Sequence, residues 1–101
     1  MDKASLLTDR VSDRTAEVEI EGVGTVTIRA LSRWEMIQGG KLEDTMEQER
    51  FILSKAMVDP PMGEHDIAAW QKCSPPGEIN AVANKVNELS GIGKGADKSS
   101  I

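Results

Sequence analysis

Few residues in this chain have the type and setting needed for chemistry. Cys73 is the single cysteine and His65 the single histidine among 101 residues, and there is no tyrosine. A nucleophilic thiol needs an electropositive neighbourhood that lowers its pKa, and Lys72 is the one adjacent cation. Cys73 therefore reads as an inert, half-buried thiol near a helix end. Being alone, it forms no internal disulfide, which excludes a bridge-stapled secreted scaffold. His65 has no Cys or His partner at ligand spacing and reads as a surface residue, not a metal ligand or general base. The carboxylates Glu43, Asp44, Glu47 and Glu49 gather in one stretch. Their placement suits the positive end of a helix dipole, and nothing in their spacing makes them converge on a metal. Gly91-Ile92-Gly93-Lys94-Gly95 has the glycines of a phosphate-binding loop in the wrong context. It follows a helix, precedes none and has no Ser or Thr after Lys94, so nucleotide binding is rejected. No catalytic, cofactor-binding or metal-ligating residue is expected, and an enzyme is the least supported class.

Charge narrows the partners. Seventeen acidic against twelve basic side chains give a formal net charge of −5. No basic stripe is interleaved with aromatics, which disfavours nucleic acid, since phosphate contact needs clustered Lys and Arg. Uninterrupted apolar runs are a few residues long, far short of the ~20 needed to span a bilayer, and the first residues carry no signal-peptide core. The expectation is a soluble, intracellular protein with no membrane partner. Its length suits one modest core. Only Trp34, Phe51 and Trp70 are aromatic, and five Met residues supply adaptable bulk.

The elements follow from periodicity. Residues 1–14 mix charges around Leu6 and Leu7 without sustained periodicity and are expected to form a flexible arm. Residues 15–30 read as a β-hairpin: Ala16, Val18 and Ile20 alternate with Glu17, Glu19 and Glu21, and the β-branched run Thr25-Val26-Thr27-Ile28 follows Gly22-Val23-Gly24. With Gly24 as the left-handed residue of a three-residue loop, Ile20 is expected to face Val26, Val18 to face Ile28, and Glu17 to face Arg29. Four helices are expected after the hairpin, at about 32–39, 42–58, 64–73 and 76–90. Ser32 and Glu35 form a capping box, with Leu31 and Met36 as a hydrophobic staple, and Gly39-Gly40 should end or bend that first helix.

Pro60-Pro61 makes the corner around which the chain is organised, because consecutive prolines cannot lie inside a helix. The preceding helix should stop near Val58, and Trp70 should fold back to pin the helix pair as a core anchor. Ser74-Pro75-Pro76-Gly77 is a second break, with Glu78 at the start of the last helix and Ser74 or a neighbour as its cap. The stripe Ile79, Val82, Ala83, Val86, Leu89 should lie across the two helices before it. Residues 92–101 read as a flexible polar tail. The whole is expected to be α+β, a single domain over residues 15–91.

Five blocks in matching order, Arg29-Ala30-Leu31-Ser32-Arg33-Trp34-Glu35, Met57-Val58-Asp59-Pro60, Asp66-Ile67-Ala68-Ala69-Trp70, Ser74-Pro75-Pro76-Gly77-Glu78-Ile79 and Leu89-Ser90-Gly91, resemble the tail assembly chaperones of long-tailed bacteriophages. The resemblance implies a host-cytoplasmic α+β subunit that binds the hydrophobic tape measure protein, keeps it soluble and recruits tail tube subunits. It also implies no enzymatic residues, and in that family a ribosomal frameshift often adds a second domain near the carboxyl end. What maps is structural: Ser32 and Glu35 as cap, Pro60 as corner, Trp70 as core anchor, Glu78 at a helix start.

A holdase needs accessible apolar grooves and net charge, and Met36, Met46, Met57 and Met62 are the candidate partner contacts, with core filling as the alternative for each. Self-association through the hairpin edges is a further expectation. The competing classes are a small structural head or tail protein retained in the virion, and a small host regulator or antitoxin-like adaptor.

Overall fold

Alternating apolar and polar residues produce the hairpin in the computed structural model, which describes residues 1–91. The expected tail, 92–101, lies outside the described residues. Strand β1 (Thr15–Ile20) pairs antiparallel with β2 (Gly24–Arg29). The register differs from expectation by two residues: Val18 faces Val26, Ala16 faces Ile28, Glu17 faces Thr27 and Ile20 faces Gly24. The loop is Glu21-Gly22-Val23, closed by the Val23 N–H donating to the Ile20 carbonyl at 3.0 Å, and Gly22 takes the left-handed position at φ 79°. Because side chains alternate with period two, a slip of two keeps every residue on its expected face. Ile20, Val26 and Ile28 all point into the core. Arg29 is released from Glu17 and grips Glu35 instead, through contacts of 3.1 and 2.7 Å.

The helices start where their caps dictate. In α2 (Arg33–Gly40) the Ser32 hydroxyl accepts from the Glu35 N–H at 3.2 Å, and the Glu35 carboxylate accepts from the Ser32 N–H at 3.0 Å. The expected capping box is present. Gly39 and Gly40 end α2, and Gly39 is buried against Ile52 of α3 (Thr45–Ala56), which Asp44 caps by accepting from the Met46 N–H at 2.9 Å.

The helix expected to reach residue 58 stops at Ala56. Met57–Asp59 is a third strand, β3, paired antiparallel with β2 through Ile28 with Met57 and Thr27 with Asp59. The residue before a proline is driven out of the α region, and here the extended segment finds an open edge of the hairpin to pair with. Two apolar residues, Met57 and Val58, extend the helical stripe in sequence and so conceal the change of period.

After the prolines come α4 (Glu64–Cys73) and α5 (Pro76–Leu89). Ser74 does not cap α5; its hydroxyl donates to the Trp70 carbonyl at 2.7 Å and closes α4. Pro75 precedes α5 without a side-chain cap, and Pro76 occupies its first turn, where a missing N–H costs nothing. α5 buries Ile79, Val82 and Val86 and lies on β1 and β2, not across the two helices before it. Gly91, at φ 83°, follows its end. The fold is thus α+β: among the described residues, a three-stranded antiparallel sheet in the order β1-β2-β3, with four helices following the hairpin. Its centre is Ile28, Leu53, Ile67, Val82 and Val86, one or two side chains from each of β2, α3, α4 and α5, all fully buried. Each contributes roughly 1.5–3 kcal/mol by leaving water.

In the expected arm, Lys3–Leu7 forms a short helix, α1, capped by Asp2 and burying none of its residues. The arm joins the domain where the Ala30 N–H donates to the Arg14 carbonyl at 2.8 Å and an Arg14 guanidinium N–H reaches the Leu89 carbonyl at 3.4 Å.

Candidate partner-binding groove

α4 carries two apolar faces. Ile67 points inward and is fully buried. Asp66, Ala69, Trp70 and Cys73, spaced by three, one and three, fall on one adjoining face and form the wall of an open groove of about 770 Å³. Its floor comes from the sheet, through Ile20, Val26 and Met57, and its ends from Val23 at the hairpin tip and from Pro60, Pro61 and Met62 at the corner. Glu78, at the start of α5, closes the far side. The short β3 and the prolines determine this shape: the strand carries the chain along the sheet, and the corner turns it back as α4. Val23 is 78% exposed, so the hairpin tip presents an apolar side chain to solvent beside the groove.

Trp70 is half-buried, packed against the core from this groove. The residue expected as core anchor thus packs on the core without being sealed in it, and the fully buried side chain of α4 is Ile67. The indole is a large amphipathic group whose N–H needs a partner when partly buried, and it donates to a Glu78 carboxylate oxygen at 2.7 Å. Trp70 therefore links α4 to the start of α5. Glu78 stands at the expected helix start and has this second task. Pro60 is the corner and also lines the groove.

The four methionines are not brought together. Met57 is 6% exposed and belongs to the core, the alternative role expected for it, and its remaining surface forms part of the groove floor. Its position opposite Ile28 on the sheet accounts for this. Met62 is half-buried at the groove edge. Met36 is half-buried in a separate recess with Leu31 and Ile37, and Met46 is exposed in a shallow cleft beside Gln71 and Ile79. Val23, Asp66 and Ala69 line the groove and were given no role from sequence, and Cys73 was read only as an inert thiol. The spacing of 66, 69, 70 and 73 was the available signal, since it marks a second helical face. Cys73 is exposed, where a half-buried thiol was expected.

A second cleft, of about 650 Å³, lies at the opposite end of the hairpin. Arg10, Arg14, Arg29 and Arg33 line it with Trp34, which is 67% exposed. Sequence separation hid this clustering of arginines around an aromatic. Three of the four arginines are tied to groups of the chain, and Arg33 makes no hydrogen bond or ion pair among the described residues. Arg10 donates to the Leu6 carbonyl at 3.0 Å, Arg14 reaches Leu89, and Arg29 holds Glu35 in a two-pronged pair. That pair raises the Arg29 pKa and, against the opposing effect of partial burial, lowers that of Glu35. Asp9 accepts from the Ser12 hydroxyl and from the Val11 and Ser12 N–H groups, which lowers its pKa to about 2.

Among the described residues, no three His, Cys, Asp or Glu side chains are placed to hold a metal ion, and no helix is long and apolar enough to cross a membrane. His65 is exposed. In comparisons with known proteins, no family model, curated sequence or solved structure matches the chain.

Proposed function

We propose that this protein is a tail assembly chaperone of long-tailed bacteriophages, which binds the tape measure protein in the host cytoplasm, keeps it soluble and brings tail tube subunits to it. The five sequence blocks resembling that family support the reading. The single structural observation that supports it is the apolar groove between the hairpin tip, the proline corner and α4. An open apolar channel of this size on a small domain is a cost to solubility unless a partner fills it, and the net charge of −5 offsets that cost while the groove is empty. Holding a client in this way requires shape, apolar surface and reversibility, and no bond is made or broken. Self-association is part of the proposal, with the outer edges of β1 and β3 as the free hydrogen-bonding edges of the sheet.

The decisive experiment is co-expression with the candidate tape measure protein. Its soluble fraction is expected to depend on this chain and to fall when the groove is blocked. A tape measure protein that is equally soluble without the chain would overturn the proposal.

A further inference from the structure

Building on the client-binding reading, we infer that the groove selects an apolar helical segment carrying a basic residue at the edge of its apolar face. Two charged residues line the groove, Asp66 and Glu78, and both are acidic; no Lys or Arg is among its lining. Neither carboxylate takes part in an ion pair among the described residues, where the pairs are Arg29 with Glu35 and Lys85 with Glu88. Each carboxylate is held in place by one hydrogen bond. Asp66 accepts from the Gly63 N–H at 3.0 Å, and Glu78 accepts from the Trp70 indole at 2.7 Å. In each case one oxygen is engaged and the other is left for an incoming donor. Each group also stands in the first turn of a helix, where its full negative charge outweighs the dipole's positive end of roughly half a charge.

The apolar wall sets the rest of the occupant. The face made by Asp66, Ala69, Trp70 and Cys73 runs ~10 Å along α4, the length of about two turns of a docked helix. A client helix would lay its apolar stripe on Trp70 and the sheet floor. Its Lys or Arg, carried on a long aliphatic stem, would pass over apolar surface to reach a carboxylate. An acidic segment would meet two unpaired like charges and be rejected.

The test uses the full chain and synthetic amphipathic helices as probes, followed by calorimetric titration. One peptide carries Leu and Val on one face with an Arg beside it; its counterparts carry Gln or Glu in place of that Arg. The Arg peptide is expected to bind about tenfold more tightly than the Gln peptide, the scale of one partly desolvated ion pair, and the Glu peptide more weakly than either. In an Asp66→Asn/Glu78→Gln variant, which keeps an acceptor oxygen for Gly63 and Trp70, this preference should shrink to within about twofold, as it should at high salt. Unchanged circular dichroism confirms that the variant is folded.

Equal binding of the Arg and Gln peptides overturns the charge selection and leaves the client reading standing. If no peptide binds while tape measure solubility still depends on the chain, the groove is not where the client sits, and the inference falls alone. Sedimentation showing that a second copy fills the groove, through an association lost in Ala69→Asp, also overturns it.

Discussion

The Trp70 indole N–H donates to Glu78 at 2.7 Å across the Ser74-Pro75 break, so one hydrogen bond ties the wall of the groove to the helix that covers the sheet. The indole is half-buried, and removing its acceptor leaves a donor with incomplete hydration. Glu78→Ala is expected to destabilise the domain by about 1–2 kcal/mol in chemical denaturation, while Glu78→Gln, which retains an acceptor, costs less than half of that. Equal costs for the two variants would assign Glu78 a purely electrostatic role at the helix start.

Glu35 serves three partners at once: the Ser32 N–H, and two nitrogens of Arg29. Its pKa is lowered, chiefly by the Arg29 hydrogen bonds. A carboxylate with a depressed folded pKa adds stability that is fully present above its unfolded value of ~4.3 and disappears as pH falls through the folded value. Asp9, lowered from 3.8 to about 2, acts in the same direction. Denaturation midpoints should therefore be level above about pH 5 and fall below it, and Glu35→Gln should flatten part of that fall. Glu35→Ala is expected to cost about 2 kcal/mol at neutral pH, since it removes the cap together with the ion pair.

Gly39 and Gly40 look equivalent in sequence and differ in space. A Cβ on Gly39 would lie 2.7 Å from Ile52 Cδ1, 3.1 Å from Ile52 Cγ1 and 3.3 Å from the Phe51 ring, whereas one on Gly40 would meet nothing within 4 Å. Ala normally gains up to ~1 kcal/mol over Gly in a helix. Gly40→Ala is expected to stabilise slightly, and Gly39→Ala to destabilise by about 1 kcal/mol because it forces α2 away from α3. Thermal melts of the two variants, made side by side, check the difference in sign.

The contrast between those glycines also explains what the sequence made legible. Local signals were readable where the cause is local: the Ser32 and Glu35 cap, the hairpin faces and the stripe of α5 each depend on residues within a few positions of one another. The pairing of Met57 with Ile28 depends on an edge offered by residues about thirty positions earlier, so a β-strand looked like the end of a helix. The hairpin register slipped for a related reason: either of two glycines can take positive φ in the turn, and the observed register goes with an Arg29–Glu35 pair that lies outside the hairpin. The groove is further removed still, because its lining comes from all three strands, the corner and two helices. Of the four methionines, Met57 and Met62 line the groove, Met57 as part of the core beneath it, while Met36 and Met46 lie elsewhere.

The groove makes a prediction that separates function from stability. Val23 is 78% exposed and Ala69 is exposed, and both line the channel without entering the buried core. Substitutions at such sites usually change stability by less than about 0.5 kcal/mol. Val23→Asp and Ala69→Asp should therefore fold as the parent does, judged by circular dichroism and thermal melting. They should nevertheless place a desolvated charge against an apolar client and reduce the soluble tape measure protein recovered on co-expression several-fold. Leu53→Ala provides the opposite control: a fully buried residue whose loss costs about 2–5 kcal/mol, lowering the solubility of this chain and of the co-expressed tape measure protein together. Full client solubility in both aspartate variants would move the client off this groove and onto another face of the domain.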